Sequence, residues 1–342
     1  MSARMRSRDK QYSDTYKPSW WLRNAHAQTI WGRFARRIPQ VETTTECLPS
    51  PDGDNLELHH VAAQPGAPRL LLLHGLEGSA RSHYVGGVLA QAHSRGWGAT
   101  LLVFRGCGSQ PNVARRFYHS GETQDVDLVF SQMRQRWPES QWFATGVSLG
   151  GNVLLKWLGE HADRLHGQLR GAAAISVPFD LEAGARHISR GLARVYDRSF
   201  LSSLRRKAFA KLSRYPDLFD AKRLARAKTV YDFDDAVTGP VHGFASAHDY
   251  YEKSSSLRFL PSVRVPTLLL SSSDDPFLPR EVLSRVAATA AANPALTMEF
   301  HNAGGHVGFV AGARPWRPFY YAEWRVFQFF DDLERGSTSG YD

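Results

Sequence analysis

Ser148 is the residue of this sequence that is best placed to act as a nucleophile. It stands in GVSLG, residues 146–150, between a β-type run and an amphipathic helical pattern. A serine on such a sharp strand-to-helix turn exposes its hydroxyl, and glycines flank it because side chains there would collide with the neighbouring strand and helix. The expected chemistry is attack of the Ser148 hydroxyl on an acyl carbonyl.

A histidine that could serve as the general base follows the last predicted strand. His306 lies in AGGHVGF, residues 303–309, where glycines on both sides let the loop carry it over the edge of the sheet. Catalytic sites of this type have the chain order serine, acid, histidine. Among fourteen histidines, His306 alone fits this order and also lies in a loop after the last predicted strand, and His301, at a strand end, is the fallback. We expect His306 to take the Ser148 proton and pass it to the leaving group.

Asp275 and Asp274 are the two candidates for the acid that orients this histidine. Both follow the strand predicted over residues 266–272, so both lie at the carboxyl end of a parallel strand, where ligands bind. Asp275 is preferred because it begins a D-P-x-x-P loop, and such a loop is common after the acid in hydrolases that use a serine, an acid and a histidine. Asp274 stays open as the alternative.

Two backbone N–H groups are predicted to bind the oxyanion of a tetrahedral intermediate. One belongs to Leu149, which follows the nucleophile, and the other to Leu76 in the HGLEG loop at residues 74–78. His74 precedes Ser148 in the chain, so we interpret it as a residue that organises this loop and not as the base. The sequence identifies no further substrate-binding residue.

Short apolar runs alternate with helical patterns along the chain. The predicted strands cover residues 68–74, 99–104, 141–147, 171–177, 266–272 and 295–301. The predicted helices between them cover residues 80–95, 121–137, 149–161 and 280–292. This alternation predicts an α/β fold with a mostly parallel, twisted sheet flanked by helices. An antiparallel hairpin over residues 41–62, with its turn at residues 51–53, is expected to precede it.

One connection is too long for a simple crossover. Nearly 90 residues separate Val177 from Pro266, and they are basic and helical in pattern, with helices near 182–195, 199–213 and 220–228. We therefore expect three units: an N-terminal arm at 1–46, a core at 47–177 and 263–342, and an inserted helical cap at 178–262. Five aromatic residues of the cap could line an acyl pocket or form the cap's own core: Tyr196, Phe200, Phe209, Tyr215 and Phe219.

The charge and the cysteines limit which partners and which cellular compartment we expect for the protein. The net charge is +9, with nine Lys and Arg against two acidic residues at 1–37 and fifteen against ten at 178–262. Such basic segments could contact an anionic membrane surface weakly or simply be solvated. Cys47 and Cys107 form no metal or disulfide pattern, so two reduced, buried thiols are expected. No secretory signal or membrane span is recognised, which favours the cytoplasm.

Several blocks of the sequence together resemble one family. They are PSWWLRNAHAQTI at 18–30, HGLEGS at 74–79, RGCG at 105–108, HSGETQD at 119–125, the Ser148 segment, DDPF at 274–277 and GGH at 304–306. In these blocks the chain resembles the YheT-like branch of the α/β hydrolases, the AB hydrolase 4 group. The resemblance matches Ser148, Asp275 and His306 to the family's catalytic triad. It implies hydrolysis of carboxylic esters, and acylglycerols and phospholipids are substrates of eukaryotic relatives.

The N-terminal N-x-H-x-Q-T block within residues 24–29 is more specific to this branch than the Ser148 segment is. Its spacing predicts no catalytic role. We expect an arm whose Trp20, Trp21 and Ile30 pack on the core, although aromatics beside Arg23 and Arg33 could also touch a membrane.

The leading interpretation is an esterase or lipase-like enzyme that forms an acyl-enzyme on Ser148 and needs no cofactor or metal. Its expected partner is a small-molecule ester, with lipid-like or medium-chain acyl esters favoured. A thioesterase or amidase with the same three residues is the alternative. A non-catalytic binding protein is less favoured because all three residues are present in the right order. No nucleic acid is expected, since only the charge suggests it.

Overall fold

An eight-stranded sheet forms the centre of the molecule in the computed structural model, which describes residues 16–338. The strands of this sheet are β1 Thr44–Pro49, β2 Asn55–Val61, β3 Arg69–Leu73, β4 Gly98–Val103, β5 Trp142–Val147, β6 Gly171–Ile175, β7 Thr267–Ser272 and β8 Leu296–His301. They are arranged in the order β1-β2-β4-β3-β5-β6-β7-β8. The β1–β2 and β2–β4 pairs are antiparallel and all the others are parallel. A separate ribbon pairs β9 Val310–Ala311 with β10 Phe319–Tyr320.

Helices cover both faces of the sheet, and β3 shows why the chain folds this way. All five of its side chains are buried, and successive leucines contact opposite layers. Leu71 and Leu73 join one hydrophobic cluster, whereas Leu70 and Leu72 join the other. A strand that is apolar on both faces can be buried only inside a sheet with two covering layers. The predicted fold class is therefore confirmed.

The helices agree with the predicted positions in the core. They are α1 Ala25–Phe34, α2 His83–Ser94, α3 Gln124–Arg136, α4 Leu149–Glu160, α5 Ala162–Leu165, α6 Leu181–Ile188, α7 Arg194–Leu212, α8 Ala221–Arg226, α9 Val230–Phe233, α10 Gly239–His242, α11 Ala247–Ser254, α12 Arg280–Ala291 and α13 Tyr321–Thr338. Within residues 16–338, no helix is long and apolar enough to span a membrane.

The segment between β6 and β7 is helical, but its helix boundaries differ from the prediction. Instead of helices at 182–195 and 199–213, α6 ends at Ile188, a short 3₁₀ turn follows, and α7 begins at Arg194. The break coincides with Gly191, whose positive φ of 54° suits a glycine and interrupts a continuous helix. A hydrophobic cluster internal to this segment includes Leu201, Ala208 and Phe219. That cluster is consistent with a separate cap, and the domain boundaries themselves stay a prediction.

Two other expectations about packing are wrong. Cys47 is exposed on β1 and only Cys107 is partly buried, so the pair are not two buried thiols. In the N-terminal arm, Trp20 and Ile30 are 67% and 41% exposed, and only Trp21 of the three is half-buried. β1 is the edge strand and carries alternate exposed side chains, which explains Cys47. Residues 1–15 of the predicted arm lie outside the described residues.

Candidate active site

Ser148 lies at the junction of β5 and α4 in a backbone conformation that few residues adopt. Its φ is 54° and its ψ is −120°. A Cβ at Gly146 would lie 2.4 Å from the Gly150 carbonyl oxygen, and one at Gly150 would lie 2.4 Å from the His74 carbonyl oxygen. Because these contacts are with backbone, only glycine fits at either position. The turn therefore holds the Ser148 hydroxyl above the carboxyl edge of the sheet.

Ser148, His306 and Asp275 form one continuous hydrogen-bonded chain. The Ser148 Oγ lies 2.8 Å from His306 Nε2, and His306 Nδ1 lies 2.8 Å from Asp275 Oδ2. A carboxylate can only accept, so Nδ1 donates to Asp275 and leaves Nε2 able to accept the hydroxyl proton. His306 is 8% exposed and Asp275 is 6% exposed, which limits competition from water. This arrangement can activate a serine for attack on a carbonyl.

The two neighbouring aspartates have different partners. Asp275 Oδ1 accepts from the Phe277 N–H at 2.8 Å while its other oxygen faces the imidazole. Asp274 instead accepts from the Gly305 N–H at 2.9 Å. The geometry therefore favours Asp275 as the orienting acid and gives Asp274 a role in the loop that carries the histidine. The fallback His301 lies on β8, pairs with Glu299 and has no contact with Ser148 among the described residues.

The loop after β3 approaches the serine closely. A Cβ at Gly75 would lie 3.2 Å from the Ser148 Cβ, and Leu76 and Leu149 both line the cavity beside Ser148. Within residues 16–338, neither the Leu76 nor the Leu149 N–H has a backbone acceptor, as expected of donors that wait for an oxyanion. Both residues thus lie beside Ser148, and the role of their N–H groups stays a prediction.

His74 organises that loop from within the core. Its side chain is fully buried, its Nδ1 donates to the Gly75 carbonyl at 2.7 Å, and its Nε2 accepts from the Phe104 N–H at 3.0 Å. Burial lowers the pKa of His74 to about 4, so the ring is neutral and both bonds persist at ordinary pH. His74 therefore joins the ends of β3 and β4 and does not face the serine.

Glu77 connects the same loop to the helical insert, and sequence reasoning missed it. It has a positive φ of 55°, and its carboxylate accepts from Lys207 Nζ at 2.8 Å and from the Ser203 hydroxyl, both on α7. Its N–H donates to the Tyr118 hydroxyl at 2.9 Å. The position of Glu77 one residue after Leu76 was the available signal. Glu77, the residue after Leu76, therefore anchors the loop that follows β3 to α7.

Two cavities meet at Ser148. One, of about 100 Å³, is lined mainly by apolar side chains, among them Leu181, Ala185, Ile188, Phe200 and Leu278. The other, of about 450 Å³, has many more polar residues in its lining, including Ser79, Arg81, Ser82, Arg33 and Ser199, and we call it the polar cavity. A substrate that reacts with Ser148 can thus place an apolar part on one side and a polar part on the other.

The cap aromatics divide between the predicted uses. Tyr196 and Phe200 pack against Phe277, with ring centroids 4.9 and 5.9 Å away. Phe219 belongs to the insert's own cluster, and Phe209 is 38% exposed. The Tyr215 hydroxyl donates to the Val113 carbonyl. Only the first two of the five reach the candidate site.

Within residues 16–338, no group of three or more His, Cys, Asp or Glu side chains is arranged to hold a metal ion.

Known proteins share this sequence and fold. The family model Hydrolase 4, described as serine aminopeptidase, S33, matches residues 66–307. YheT of Escherichia coli, a presumed esterase by its name, is 35% identical over 84% of this chain and 85% of its own. Phospholipase ABHD3 of Bos taurus is 28% identical over 93% of this chain and 78% of its own. The monoacylglycerol lipase of Saccharomyces cerevisiae is 29% identical over 76% of this chain and 58% of its own.

Solved structures with the same fold are more distant in sequence. An esterase of Pyrococcus furiosus, Pf2001, has a TM-score of 0.57 at 17% identity, covering 85% of this chain and 91% of its own. An acylaminoacyl peptidase of Pyrococcus horikoshii has a TM-score of 0.55 at 15% identity, covering 89% of this chain and 43% of its own. These similarities show the fold.

Proposed function

The chain belongs to the YheT-like branch of the α/β hydrolases, within the Hydrolase 4 family, and on that premise we propose that it hydrolyses carboxylic esters with Ser148, His306 and Asp275 as its catalytic triad. The observation that carries the proposal is the pair of 2.8 Å contacts that links the three side chains in sequence. Esterase and lipase relatives support a hydrolase of this general type.

The reaction follows from these contacts. Ser148 Oγ attacks the ester carbonyl while its proton passes to His306 Nε2, and the Leu76 and Leu149 N–H groups bind the oxyanion. Asp275 stabilises the imidazolium. His306 then gives the proton to the leaving alkoxide, which departs as an alcohol and leaves an acyl-Ser148. Water then attacks the acyl-Ser148 carbonyl with His306 as base, which releases the carboxylic acid and restores the Ser148 hydroxyl.

The test compares an ester, a thioester and an anilide of one acyl group, together with labelling by a fluorophosphonate probe. We expect labelling of the wild type, fastest turnover of the ester, and neither activity in Ser148→Ala. Preferred turnover of the anilide or thioester would give the site to the alternative, an amidase or thioesterase. A folded wild type that is neither labelled nor active would leave a non-catalytic binding protein and refute the proposal.

The two cavities suggest how a lipid-like ester would be placed. We assign the acyl chain to the apolar cavity and the alcohol part to the polar one. Each buried methylene is worth up to about 0.8 kcal/mol, so kcat/KM should rise from acetyl to medium-chain esters.

Ala185→Leu, which partly fills the apolar cavity, should lower kcat/KM for the longer esters more than for acetate. Ala225→Leu, an exposed position on α8, is the matched control and should leave the chain-length profile unchanged. A strict preference of the wild type for acetyl esters would exclude an acyl cavity on this side of Ser148.

An apolar and basic surface borders the polar cavity, and we propose that it makes weak contact with anionic membranes. Phe34 is 76% exposed one helical turn after Ile30, which lines the cavity, and Leu192 and Val195 are 75% and 67% exposed on the insert. Among the described residues, five nearby arginines have no carboxylate within 4.0 Å: Arg33, Arg37, Arg190, Arg194 and Arg198. Exposed apolar groups beside cations suit an anionic lipid surface.

Co-sedimentation with anionic and neutral vesicles at low and high salt tests this contact. Binding to anionic vesicles at low salt should weaken in Phe34→Ser and Leu192→Ser but not in Met298→Ser, an exposed position on β8. Equal, salt-independent recovery in the supernatant would refute it.

The unpaired Cys47 and Cys107 agree with a reducing compartment, and we keep the cytoplasm as the proposed location.

A further inference from the structure

The N-terminal segment, residues 16–34, is bound directly to the loop that carries His306. Thr29 Oγ1 accepts from the His306 backbone N–H at 2.9 Å and donates to the Ala25 carbonyl at 2.8 Å. The hydroxyl is therefore used in both directions. It contacts the peptide of His306 itself, not a residue further along the loop.

Gln28 fixes the same segment one residue earlier. It is fully buried, its Oε1 accepts from the Val310 N–H at 2.7 Å, and its Nε2 donates to the Leu22 and Val310 carbonyls at 2.7 and 3.1 Å. A buried amide with this many partners is held in one position. Asn24 caps the helix by accepting from the Ala27 N–H. Thr29 is thus presented to His306 from a rigid support.

The loop needs such support because its own backbone is strained. Four of its residues have positive φ: Gly304 at 155°, Gly305 at 59°, Val307 at 60° and Phe309 at 43°. For a β-branched residue such as Val307 this conformation is costly, on the order of 1–3 kcal/mol, and persists only when neighbours impose it. Hydrogen bonds from neighbouring side chains hold the loop in this conformation. Ser272 donates to the Gly305 carbonyl, and Ser176 accepts from the Val307 N–H.

The fit between segment and loop is close. A Cβ at Gly305 would lie 2.4 Å from the Ala25 carbonyl and 2.8 Å from Thr29 Oγ1, and a Cβ at Gly308 would lie 2.6 Å from the Gln28 carbonyl. The glycines around His306 therefore make room for the N-terminal helix as much as for the loop's own turn.

We propose that Thr29 is a positioning residue for His306: its hydroxyl holds the His306 peptide so that the imidazole bridges Ser148 and Asp275. This inference rests on the proposed function. Without that hydroxyl, the His306 N–H loses its partner in a buried site, and the strained loop gains freedom where Nε2 must stay within reach of Oγ. A displacement of about 1 Å at a reacting group can cost on the order of 100-fold in rate.

The test uses Thr29→Val, which removes the hydroxyl at nearly constant shape, and Thr29→Ser, which keeps it. Thr29→Val should lower kcat 10- to 100-fold with KM within about threefold of the wild type, and Thr29→Ser should recover most of kcat. Thr267→Val is the matched control, because it removes a buried hydroxyl that donates to the Val265 carbonyl at the opposite end of β7. It should lower stability without lowering kcat.

A second measurement does not depend on activity. Hydrogen exchange of the His306 backbone amide, followed by NMR, should become faster in Thr29→Val but not in Thr29→Ser or Thr267→Val. Unchanged kcat and unchanged exchange in Thr29→Val would overturn the inference, as would an equal loss of kcat in Thr267→Val. If the wild type itself lacks esterase activity and probe labelling, the proposed function fails, and the exchange data alone still decide whether Thr29 holds the His306 peptide.

Discussion

The ring of Phe277 lies flat against the imidazole of His306, with centroids 4.0 Å apart and planes inclined by 16°. Phe277 is also the residue whose N–H binds Asp275, and its ring contacts Tyr196 and Phe200 on the insert. One side chain therefore contacts the proposed base and the helix that covers it, while its backbone binds the proposed acid.

Loss of this stacked ring should be visible in turnover. Phe277→Ala is expected to lower kcat by up to about tenfold, because an aromatic pair contributes about 0.5–1.5 kcal/mol that helps to fix the imidazole plane. Phe277→Tyr should retain most of kcat. Phe209→Ala, which removes a partly exposed ring further along α7, is the control and should change kcat little. Wild-type kcat in Phe277→Ala would show that the stack does not orient His306.

The two aspartates make an experiment with opposite expectations. Asp275→Asn should reduce kcat on the order of 10⁴-fold, the size described for the corresponding change in serine proteases, because an amide favours the wrong imidazole tautomer. Asp274→Asn should cost far less, since its Oδ1 can still accept from the Gly305 N–H. Steady-state kinetics on a chromogenic ester decide between them. The reverse ranking would transfer the role to Asp274.

The turn at the nucleophile should tolerate no added side chain. Gly150→Ala places a Cβ 2.4 Å from the His74 carbonyl oxygen and 2.6 Å from that of Leu73, so we expect a loss of several kcal/mol in unfolding free energy or failure to fold. Gly336→Ala on α13, where a Cβ meets no atom of the described residues within 4 Å, should be neutral or stabilise by up to about 1 kcal/mol. Thermal melts of both variants test this, and equal melting temperatures would contradict it.

We expect the buried carboxyl of Asp234 to make the stability of the protein depend on pH. Burial raises its pKa from the ordinary 3.8 to about 6, although Thr238 and the Tyr251 hydroxyl donate to its carboxylate. Between these two values the unfolded chain binds fewer protons than the folded one. Stability therefore falls as the pH rises from about 4 to 6, by an amount on the order of 3 kcal/mol if the full shift is expressed.

Asp234→Asn removes the titration while keeping one acceptor oxygen. The difference in unfolding free energy between wild type and variant should thus shift in favour of the variant as the pH rises through this range and then level off above pH 7. Denaturant unfolding of both proteins at pH 4, 5, 6 and 7.5 measures it. A difference that does not change with pH would show that Asp234 ionises normally.

The sequence allowed the sheet, the Ser148 turn and the order of the candidate residues to be predicted because local signals carry them. β3 carries four consecutive leucines after Arg69, and a Cβ at Gly146 would meet the Gly150 carbonyl only four residues later. Gly150 faces the backbone of Leu73 and His74 at the end of the neighbouring strand, and the G-x-S-x-G pattern marks it nonetheless. The break at Gly191 inside the predicted helix could not be foreseen in the same way. A single glycine is tolerated in helices, and only its positive φ, three residues after the end of α6, shows that the helix does not continue.

The contribution of residues 24–29 was beyond sequence reasoning for another reason. Gln28 and Val310 are 282 residues apart, and no period or turn rule connects such distant positions. The sequence marks the block as specific and predicts aromatic packing for the arm around it, whereas Trp20 and Ile30 are exposed and the polar Gln28 is the buried anchor. Polar groups that satisfy each other across the fold leave no local pattern.

The bond between Gln28 and Val310 also has a consequence for biosynthesis. During translation the N-terminal segment leaves the ribosome when its binding partners, some 280 residues later, do not yet exist. A nascent or C-terminally truncated chain that ends before residue 306 lacks the proposed base, and one that ends before Val310 lacks the anchor for Gln28. Hydrolytic competence should therefore arise only once residues 306–310 have been synthesised, so that chains ending before them are inert towards esters.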